Sequence, residues 1–263
     1  MVGNNLLEIK NLHIHFRQQN KLIRAVEGVS LDIGEGEIVG LVGESGSGKT
    51  LTALSITRIL PKTAEIVSGE IIFQNQDLLR VNESRIEAIR GRDISYIFQE
   101  ASASLNPVLP IGRQISEGIM LHQNKTKKEA GDLALDLLRL VRLKRPEDIV
   151  KSYPHQLSGG MNQRVMIAIA LSSKPKLLIA DEPTTALDVT IEKEIMRVLL
   201  ELQAQLNYSI LFITHNVALV QEFAHRIAIM YKGKIVENAE RETIFSSPLH
   251  EHTKELISAI IRL

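Results

Sequence analysis

GESGSGKT, residues 43–50, matches the phosphate-binding pattern GxxxxGK[ST] at every fixed position. An apolar stretch, Ile38–Val42, precedes it and a helical stretch follows, which is the strand–loop–helix setting that the pattern needs. Glycines allow the backbone to turn so tightly that its N–H groups can surround a phosphate at the start of a helix. A glycine-rich turn without function is the alternative, and the complete motif in this setting argues against it. The stretch therefore predicts a phosphate site in an α/β fold.

Each residue of this phosphate loop has an expected task. Lys49 would reach the β- and γ-phosphates of a nucleotide, and Thr50 would offer its hydroxyl to Mg²⁺. The backbone N–H groups of the residues before them would cradle the β-phosphate. Those residues are Gly43, Glu44, Ser45, Gly46, Ser47 and Gly48.

Three apolar stretches are typical of buried parallel strands: residues 38–42, 177–180 and 210–214. Polar residues and then a helical stretch follow each of them, as in βαβ units, where ligands collect at the carboxyl ends of the strands. Residues 7–16 alternate like a half-exposed strand. Together with residues 71–73 they predict a small antiparallel layer beside the main sheet.

The middle of the chain is predicted to consist of helices and loops without a strand. Thr126 and Glu129 form a capping-box pattern, with threonine at the N-cap and glutamate at N3. The helix that follows is predicted to bury a face made of Leu133, Leu137, Leu140 and Val141. A further helix, residues 190–206, is predicted to bury a stripe made of Ile191, Ile195, Val198, Leu199 and Leu202.

These patterns predict a single domain over residues 1–263. The expected parts are an α/β core with its β layer (1–100 and 171–240), a helical subdomain (101–170) and a C-terminal tail (241–263).

Composition excludes several kinds of site. The 263 residues include no cysteine, so disulfides and thiolate metal sites are excluded. The 31 basic and 31 acidic side chains give a net charge of +0, which argues against a dedicated nucleic-acid binder. The N-terminus has no secretory apolar segment, and no apolar stretch reaches the roughly 20 residues that span a bilayer. The expected location is the cytoplasm, with work at a membrane requiring another subunit.

An acidic pair follows the second apolar stretch. The strand would deliver Asp181 to the phosphate side of the sheet, where a carboxylate can hold Mg²⁺ through its water shell. Glu182 would polarise the attacking water as general base. A solvated turn is the alternative, and the buried strand with a phosphate loop upstream argues against it.

Two further polar residues end apolar stretches. His215 could bond a γ-phosphate and hold the water in line, although a histidine at such a place is more often structural or solvated. Gln99 could touch Mg²⁺ or the water, while its loop leads into the helical region. No role is assigned to the histidines His13, His15, His122 and His225.

A second candidate anion site begins at Ser158, where a serine and two glycines precede an apolar helix. Considered alone, Ser-Gly-Gly before a helix is more often a cap and a turn than a ligand site. Assigning an anion site to Ser158 therefore requires further features elsewhere in the sequence.

Taken together, these features resemble the nucleotide-binding domain of ABC ATPases over nearly the whole chain. The resemblance implies that Phe16 stacks on adenine, although a buried core phenylalanine is the alternative. Gln99 matches the Q-loop, Asp181 and Glu182 the Walker B pair, and His215 the switch histidine. The D-loop match consists of Ala186, Leu187 and Asp188. The implied cofactors are ATP and Mg²⁺, with Thr50, Gln99 and Asp181 around the metal.

The same resemblance explains two anion sites in one chain. The signature loop of the family matches Ser158, Gly159, Gly160 and Met161, and the common signature has glutamine in place of the methionine. In that family two domains pair head-to-tail, and each signature loop grips the γ-phosphate on the other chain's phosphate loop. The resemblance therefore implies hydrolysis only in a dimer, with an identical or homologous ABC ATPase chain.

Stretches without a phosphate role resemble the importers of peptides and nickel. They are SLNP (104–107), YPHQLSGGM (153–161), ADEPTTALDVT (180–190) and SSPLHEHTKELISAI (246–260). Such importers work with two membrane permease subunits and, indirectly, with an extracytoplasmic solute-binding protein, which implies a place on the cytoplasmic face of the membrane. A coupling helix of the permease is expected to dock near residues 100–107. No nucleic-acid partner is expected.

The tail departs from this group in two ways. Glu251 and His252 replace a frequent proline and tyrosine, and no cysteine-bearing extension follows. The second point favours the shorter nickel- or metallophore-type members. His250 and His252 are expected to be surface histidines rather than metal ligands.

Three rival interpretations stay open. An ABC ATPase of DNA repair or chromosome organisation would carry a long coiled coil, and no sustained heptad pattern occurs here. A soluble ABC module without a membrane partner would not need the importer-like stretches. A subunit that only binds ATP would not need an intact Glu182, His215, Lys49 and Ser158.

Overall fold

A computed structural model describes residues 5–18, 21–185 and 188–261. The chain forms two compact units, one made of residues 1–87 and 209–263 and the other of residues 88–208. The predicted division into core, helical subdomain and tail stays a prediction.

The first unit contains an antiparallel layer and a set of mostly parallel strands. Its strands are β1 (Asn5–Gln18), β2 (Lys21–Gly34), β3 (Ile38–Val42), β4 (Ala64–Phe73), β5 (Gln76–Asp77), β8 (Ser209–Thr214), β9 (Arg226–Tyr231) and β10 (Lys234–Glu240). Its helices are α1 (Lys49–Ile56), α2 (Glu83–Ile89, at the boundary between the units), α9 (Val217–Gln221), α10 (Arg241–Ser246) and α11 (Glu251–Ile261).

The antiparallel layer has the strand order β2-β1-β4-β5, which confirms the predicted layer. The fully buried residues of β1 include Leu7, Leu12 and Ile14, and the alternation changes phase between Ile9 and Leu12, where the register with β2 shifts. Strand β2 was not predicted from the sequence. Its first four residues, 21–24, are all exposed, and they show none of the alternation that marks a half-buried strand.

The parallel strands place the phosphate loop. β3 lies between β8 and β9 and is parallel to both, while β10 is antiparallel to β9. All residues of β3 and β8 are buried, as expected for strands covered on both faces. The predicted bounds of β3 are confirmed, and β8 begins one residue earlier than predicted.

The second unit combines two parallel strands with helices. Its strands are β6 (Ile94–Ile97) and β7 (Leu177–Asp181), paired in parallel from Ile94 and Leu177 onward. Its helices are α3 (Ala101–Ser104), α4 (Ile111–Gln123), α5 (Lys127–Leu140), α6 (Pro146–Ile149), a 3₁₀ turn (Pro154–Gln156), α7 (Gly159–Leu171) and α8 (Val189–Leu206). No strand occurs among residues 101–171, all of which the structure describes.

Helix α5 begins as predicted but buries a different face. Thr126 Oγ1 accepts from the Glu129 N–H, and Glu129 Oε2 accepts from the Thr126 N–H, which confirms the capping box. The predicted buried leucines Leu133, Leu137 and Leu140 are only half-buried. The predicted burial of Val141 is confirmed, and the other buried residues are Ala130, Ala134 and Leu138. Alanines let neighbouring helices approach closely, so the contact face is centred on the small residues.

Two other packing predictions need a correction. In α8 the predicted residues Ile195, Val198, Leu199 and Leu202 are buried, whereas Ile191 is half-buried. In α11 the expectation of a surface histidine is wrong for His252, of which only 6% is exposed. His252 lies in the first turn of α11, whose inner side packs on the rest of the first unit.

Among the described residues, no helix is both long and apolar enough to cross a membrane.

Candidate functional site

The phosphate loop joins β3 to α1 and holds its lysine inward. Lys49 Nζ donates to the carbonyl oxygens of Gly43 at 2.8 Å and Glu44 at 2.9 Å, and only 5% of the residue is exposed. Gly48 precedes the helix with a left-handed φ of +108°, which strongly favours glycine. The loop therefore places a cation at the N-terminus of a helix, where anions bind favourably.

The loop is packed tightly against the end of β9. A Cβ atom on Gly43 would lie 2.1 Å from the carbonyl oxygen of Met230, so no side chain fits there. Gly233 donates its N–H to the carbonyl oxygen of Ser47 at 3.0 Å. Ser47 Oγ is buried and has no hydrogen-bond partner within the described residues. A phosphate oxygen would satisfy this hydroxyl, so the loop fits a nucleotide phosphate.

His215 follows the strand next to the phosphate loop. Val42 and Thr214 are paired in the parallel register of β3 and β8, so Gly43 and His215 leave the two strands at the same edge. The His215 residue is exposed. The following Asn216 caps α9 by accepting the Ala218 N–H at 3.1 Å. The predicted position of His215 at the carboxyl end of a strand is confirmed, while its role stays a prediction.

Phe16 lies on β1 in the same unit. Its register partners are Ile23 on β2 and Ala64 on β4. The residue is half-buried, so it is not a fully enclosed core residue. Part of the residue therefore stays accessible, as contact with a base requires.

The acidic pair and the glutamine come together in the second unit. Gln99 Nε2 donates to Glu182 Oε2 at 3.2 Å. The register explains this contact, because Ile97 pairs with Ala180 and each of the two side chains lies two residues beyond a paired position. Asp181 ends β7 and is 8% exposed. The structure therefore brings together two residues that the sequence proposes separately.

Glu182 is held in place by its own turn. Its backbone has a left-handed φ of +46°, a conformation that costs a non-glycine residue on the order of 1 kcal/mol. Thr185 Oγ1 donates to Glu182 Oε2 at 2.9 Å. Sequence reasoning missed Thr185, although its place three residues after the glutamate is a signal for such a bond in a turn.

The residues after this turn begin α8. Asp188 is its N-cap residue and is exposed. The other two members of the predicted D-loop, Ala186 and Leu187, lie outside the described residues. Thr184 Oγ1 donates to Glu192 Oε1 at 2.5 Å and so ties the turn to the first turn of α8.

The predicted signature loop forms the start of α7. Ser158 is the N-cap residue, and its Oγ accepts the Met161 N–H at 3.4 Å. Ser158 and Gly159 are exposed, whereas Gly160 is buried, and a Cβ atom on it would lie 2.8 Å from Ile191 Cγ2. The serine therefore caps its helix and at the same time stays accessible to a ligand from outside this unit.

Arg164 fixes the signature helix against its neighbour. Its guanidinium donates to Glu194 Oε2 on α8 at 2.7 Å and to the carbonyl oxygen of Val141 at 3.2 Å. Beside these contacts lies a groove of about 450 Å³ whose lining includes Ser158 and Met161. The signature loop is thus held on one side and open on the other.

Comparison with known proteins agrees with this geometry. The family model described as ABC transporter matches residues 26–185. The chain is 46% identical to a probable peptide ABC transporter ATP-binding protein, y4tR of Sinorhizobium fredii, over 97% of this chain and 76% of the relative. It is 50% identical to the oligopeptide transport ATP-binding protein AppD of Bacillus subtilis, over 97% of this chain and 78% of the relative.

Two solved structures share the fold. The ATP-binding cassette MJ0796, solved as a dimer in a post-hydrolysis state with ADP and Pi, superposes with a TM-score of 0.80 at 27% identity, over 89% of this chain and 98% of that one. The protein cbiO1 from Clostridium perfringens, part of the complex cbiONQ, gives a TM-score of 0.78 at 25% identity, over 99% of this chain and 96% of that one.

Proposed function

The chain belongs to the ABC transporter family of ATP-binding domains, and from that premise we propose that it is the ATP-hydrolysing subunit of a peptide importer. The observation that carries the proposal is the phosphate loop at the start of α1, which holds both the buried Lys49 and a buried Ser47 hydroxyl without a hydrogen-bond partner within the described residues. When bound, ATP would supply the phosphoanhydride bond that water breaks, and Mg²⁺ would neutralise the negative charge that develops on the phosphate oxygens.

The roles of the loop residues follow from their positions. The N–H groups of residues 44–50 bind the phosphates, and Lys49 turns from the loop carbonyls toward the β- and γ-phosphates. Thr50, which is exposed, would offer its hydroxyl to Mg²⁺, and Asp181 and Gln99 would be the other protein groups near the metal. Phe16, which is half-buried, would stack on the adenine.

Hydrolysis depends on Glu182 as general base. Its carboxylate is positioned by Gln99 and Thr185, so it is held ready to take a proton from water. His215 orients the same water or bonds the γ-phosphate. Because these groups are fixed before the reaction, little reorganisation is needed in the transition state.

A second ABC chain completes the site. The exposed residues Ser158 and Gly159 grip the γ-phosphate held on the other chain, with Gly160 and Met161 completing the loop and Asp188 near the contact. The dimeric state of MJ0796 supports this arrangement. Closure on ATP and release after hydrolysis would pass movement through residues 100–107 to a permease at the cytoplasmic face of the membrane.

Peptides are the proposed solute class. Both relatives above are named for peptide or oligopeptide transport, and neither name supports the preference for nickel or metallophores. A periplasmic or extracytoplasmic binding protein would select the peptide and deliver it to two permease subunits. A soluble ABC ATPase without transport is the second candidate.

Reconstitution tests this proposal. The chain, its two permease subunits and the binding protein are assembled in liposomes, and ATP hydrolysis is measured with and without di- and oligopeptides, and with nickel in parallel. Peptide is expected to raise hydrolysis and to accumulate in the vesicles. Hydrolysis that is the same with and without the permease would favour the soluble ATPase. Stimulation by nickel but not by peptides would show that the transported solute is nickel rather than peptide.

A further inference from the structure

The C-terminal segment of residues 249–261, here the tail segment, is anchored on β10. Glu237 is 9% exposed, and its carboxylate accepts the N–H groups of Leu249 at 2.8 Å and His250 at 3.0 Å. These N–H groups lie just before α11, where a helix leaves its first donors without partners. The tail segment therefore has a defined docking point on the first unit.

His252 joins the tail segment to the end of β9. Its ring stacks on Tyr231, with 3.9 Å between the ring centroids and an angle of 28° between the planes. Its Nε2 is buried and has no hydrogen-bond partner within the described residues, and Nδ1 lies 3.6 Å from Glu255 Oε2. The contact with Tyr231 is thus a contact between ring faces rather than a hydrogen bond.

Tyr231 is the last residue of β9 and precedes a turn that is bonded to the phosphate loop. Lys232 and Gly233 follow with positive φ values of +45° and +82°, so the chain turns sharply. At this turn the Gly233 N–H donates to the Ser47 carbonyl oxygen at 3.0 Å. One residue before Tyr231, the Met230 carbonyl oxygen touches the place where Gly43 lacks a side chain. The end of β9 therefore supports the phosphate loop at two points.

We infer that the tail segment sets the position of the phosphate loop, with His252 as a positioning residue that acts through Tyr231 and the turn at residues 232–233 on Ser47. The inference rests on the proposed binding of ATP at this loop. When the tail is docked, the stacked rings fix the end of β9, and Gly233 holds the Ser47 peptide in the orientation that turns its neighbours' N–H groups toward a phosphate. Displacement of the tail segment lowers the affinity for ATP.

The test compares variants of the full chain in an equilibrium titration with a fluorescent ATP analogue. His252→Ala removes the stacked ring and is expected to weaken binding about fivefold, at the lower end of typical coupling between sites. His252→Phe keeps a flat ring and is expected to bind within about twofold of the wild type. Lys254→Ala changes an exposed residue of the same helix and serves as the matched control.

Hydrogen exchange provides a second readout. The amides of residues 44–50 and 233 are expected to exchange faster in His252→Ala than in the wild type or in His252→Phe. Wild-type affinity in His252→Ala, with unchanged exchange at residue 233, would overturn the inference. Failure of the wild-type chain to bind the analogue would instead contradict the proposed function.

A second pair of variants tests the inference if His252→Ala does not fold. His252→Leu fills the same space without an aromatic ring, so it is compared with His252→Phe if His252→Ala does not fold. Weaker binding by the leucine variant supports the inference, and equal binding by the two variants overturns it.

Discussion

Gln99 Nε2 donates a hydrogen bond of 3.2 Å to Glu182 Oε2, which joins the residues that follow two neighbouring parallel strands. In the proposed function, residues 100–107 contact the permease and Glu182 is the general base. Gln99, which is bonded to Glu182, immediately precedes these residues. A displacement of residues 100–107 would therefore move Glu182 through the side chain of Gln99.

Glu182→Gln is expected to lower hydrolysis in the assembled complex at least about 100-fold, because a neutral amide cannot take the proton from water. ATP binding is expected to persist, since the phosphate loop is unchanged. Hydrolysis and nucleotide binding are measured on the same preparation, with Glu87→Gln, an exposed acid in α2, as control. Unchanged hydrolysis would show that another group is the base.

Thr185→Val is expected to lower kcat about tenfold with little change in KM for ATP, because the Glu182 carboxylate loses the 2.9 Å bond that holds it and small misplacements of reacting groups are costly. Thr185→Ser retains the hydroxyl and is expected to restore the rate. Steady-state kinetics of the wild type and the two variants measure kcat and KM. An equal loss of kcat in Thr185→Val and Thr185→Ser would contradict a positioning role for the hydroxyl.

Gly160→Ala is expected to lower the free energy of unfolding by about 1–3 kcal/mol, since the new methyl group would overlap Ile191 Cγ2. It is also expected to displace the signature loop and reduce hydrolysis by the assembled complex, while nucleotide binding by the isolated chain stays the same. Ile191→Ala in the same chain removes the clash and is expected to recover part of the activity. Denaturant unfolding and hydrolysis assays measure both effects.

The anchoring of the tail segment is expected to depend on pH through Glu237. Burial alone would raise the pKa of this carboxyl, but the hydrogen bonds that it accepts and the nearby His250 hold its pKa below the ordinary value. A lowered pKa stabilises the folded state fully above the unfolded value of about 4.3, and the contribution is lost as the pH falls through the folded value.

Thermal unfolding between pH 3 and pH 7 tests this dependence. The difference in Tm between the wild type and Glu237→Gln is expected to be largest above about pH 5 and to shrink toward pH 3. A difference that does not change with pH would show that the charge of Glu237 contributes nothing.

Much of this architecture can be predicted from the sequence where one physical cause dominates. Ile38–Val42 form a strand because five apolar residues precede a complete phosphate loop, and the start of α5 follows from the capping box at Thr126. The buried face of α5 could not be predicted, because close helix packing favours Ala130 and Ala134 over larger leucines.

In the site, too, single residues could be predicted from the sequence, but their contacts could not. Gln99 and Glu182 are each predictable from the strand that precedes them, but their hydrogen bond depends on the register of β6 and β7. The contact of Gly160 with Ile191 and the stacking of His252 on Tyr231 depend on how elements distant in sequence pack. No periodicity along the chain contains that information.

The place of β3 between two late strands has a consequence for biosynthesis. β3 ends at residue 42, whereas its neighbours β8 and β9 begin at residues 209 and 226. During translation the phosphate loop emerges early, yet both edges of its strand stay unpaired until residues 209–231 have left the ribosome. Such long-range pairing is slow, and it leaves unpaired strand edges and apolar side chains exposed to aggregation or to chaperones. The strand before the phosphate loop is therefore completed only after residue 231 has been made, so a chain terminated before residue 209 would carry the motif without the site.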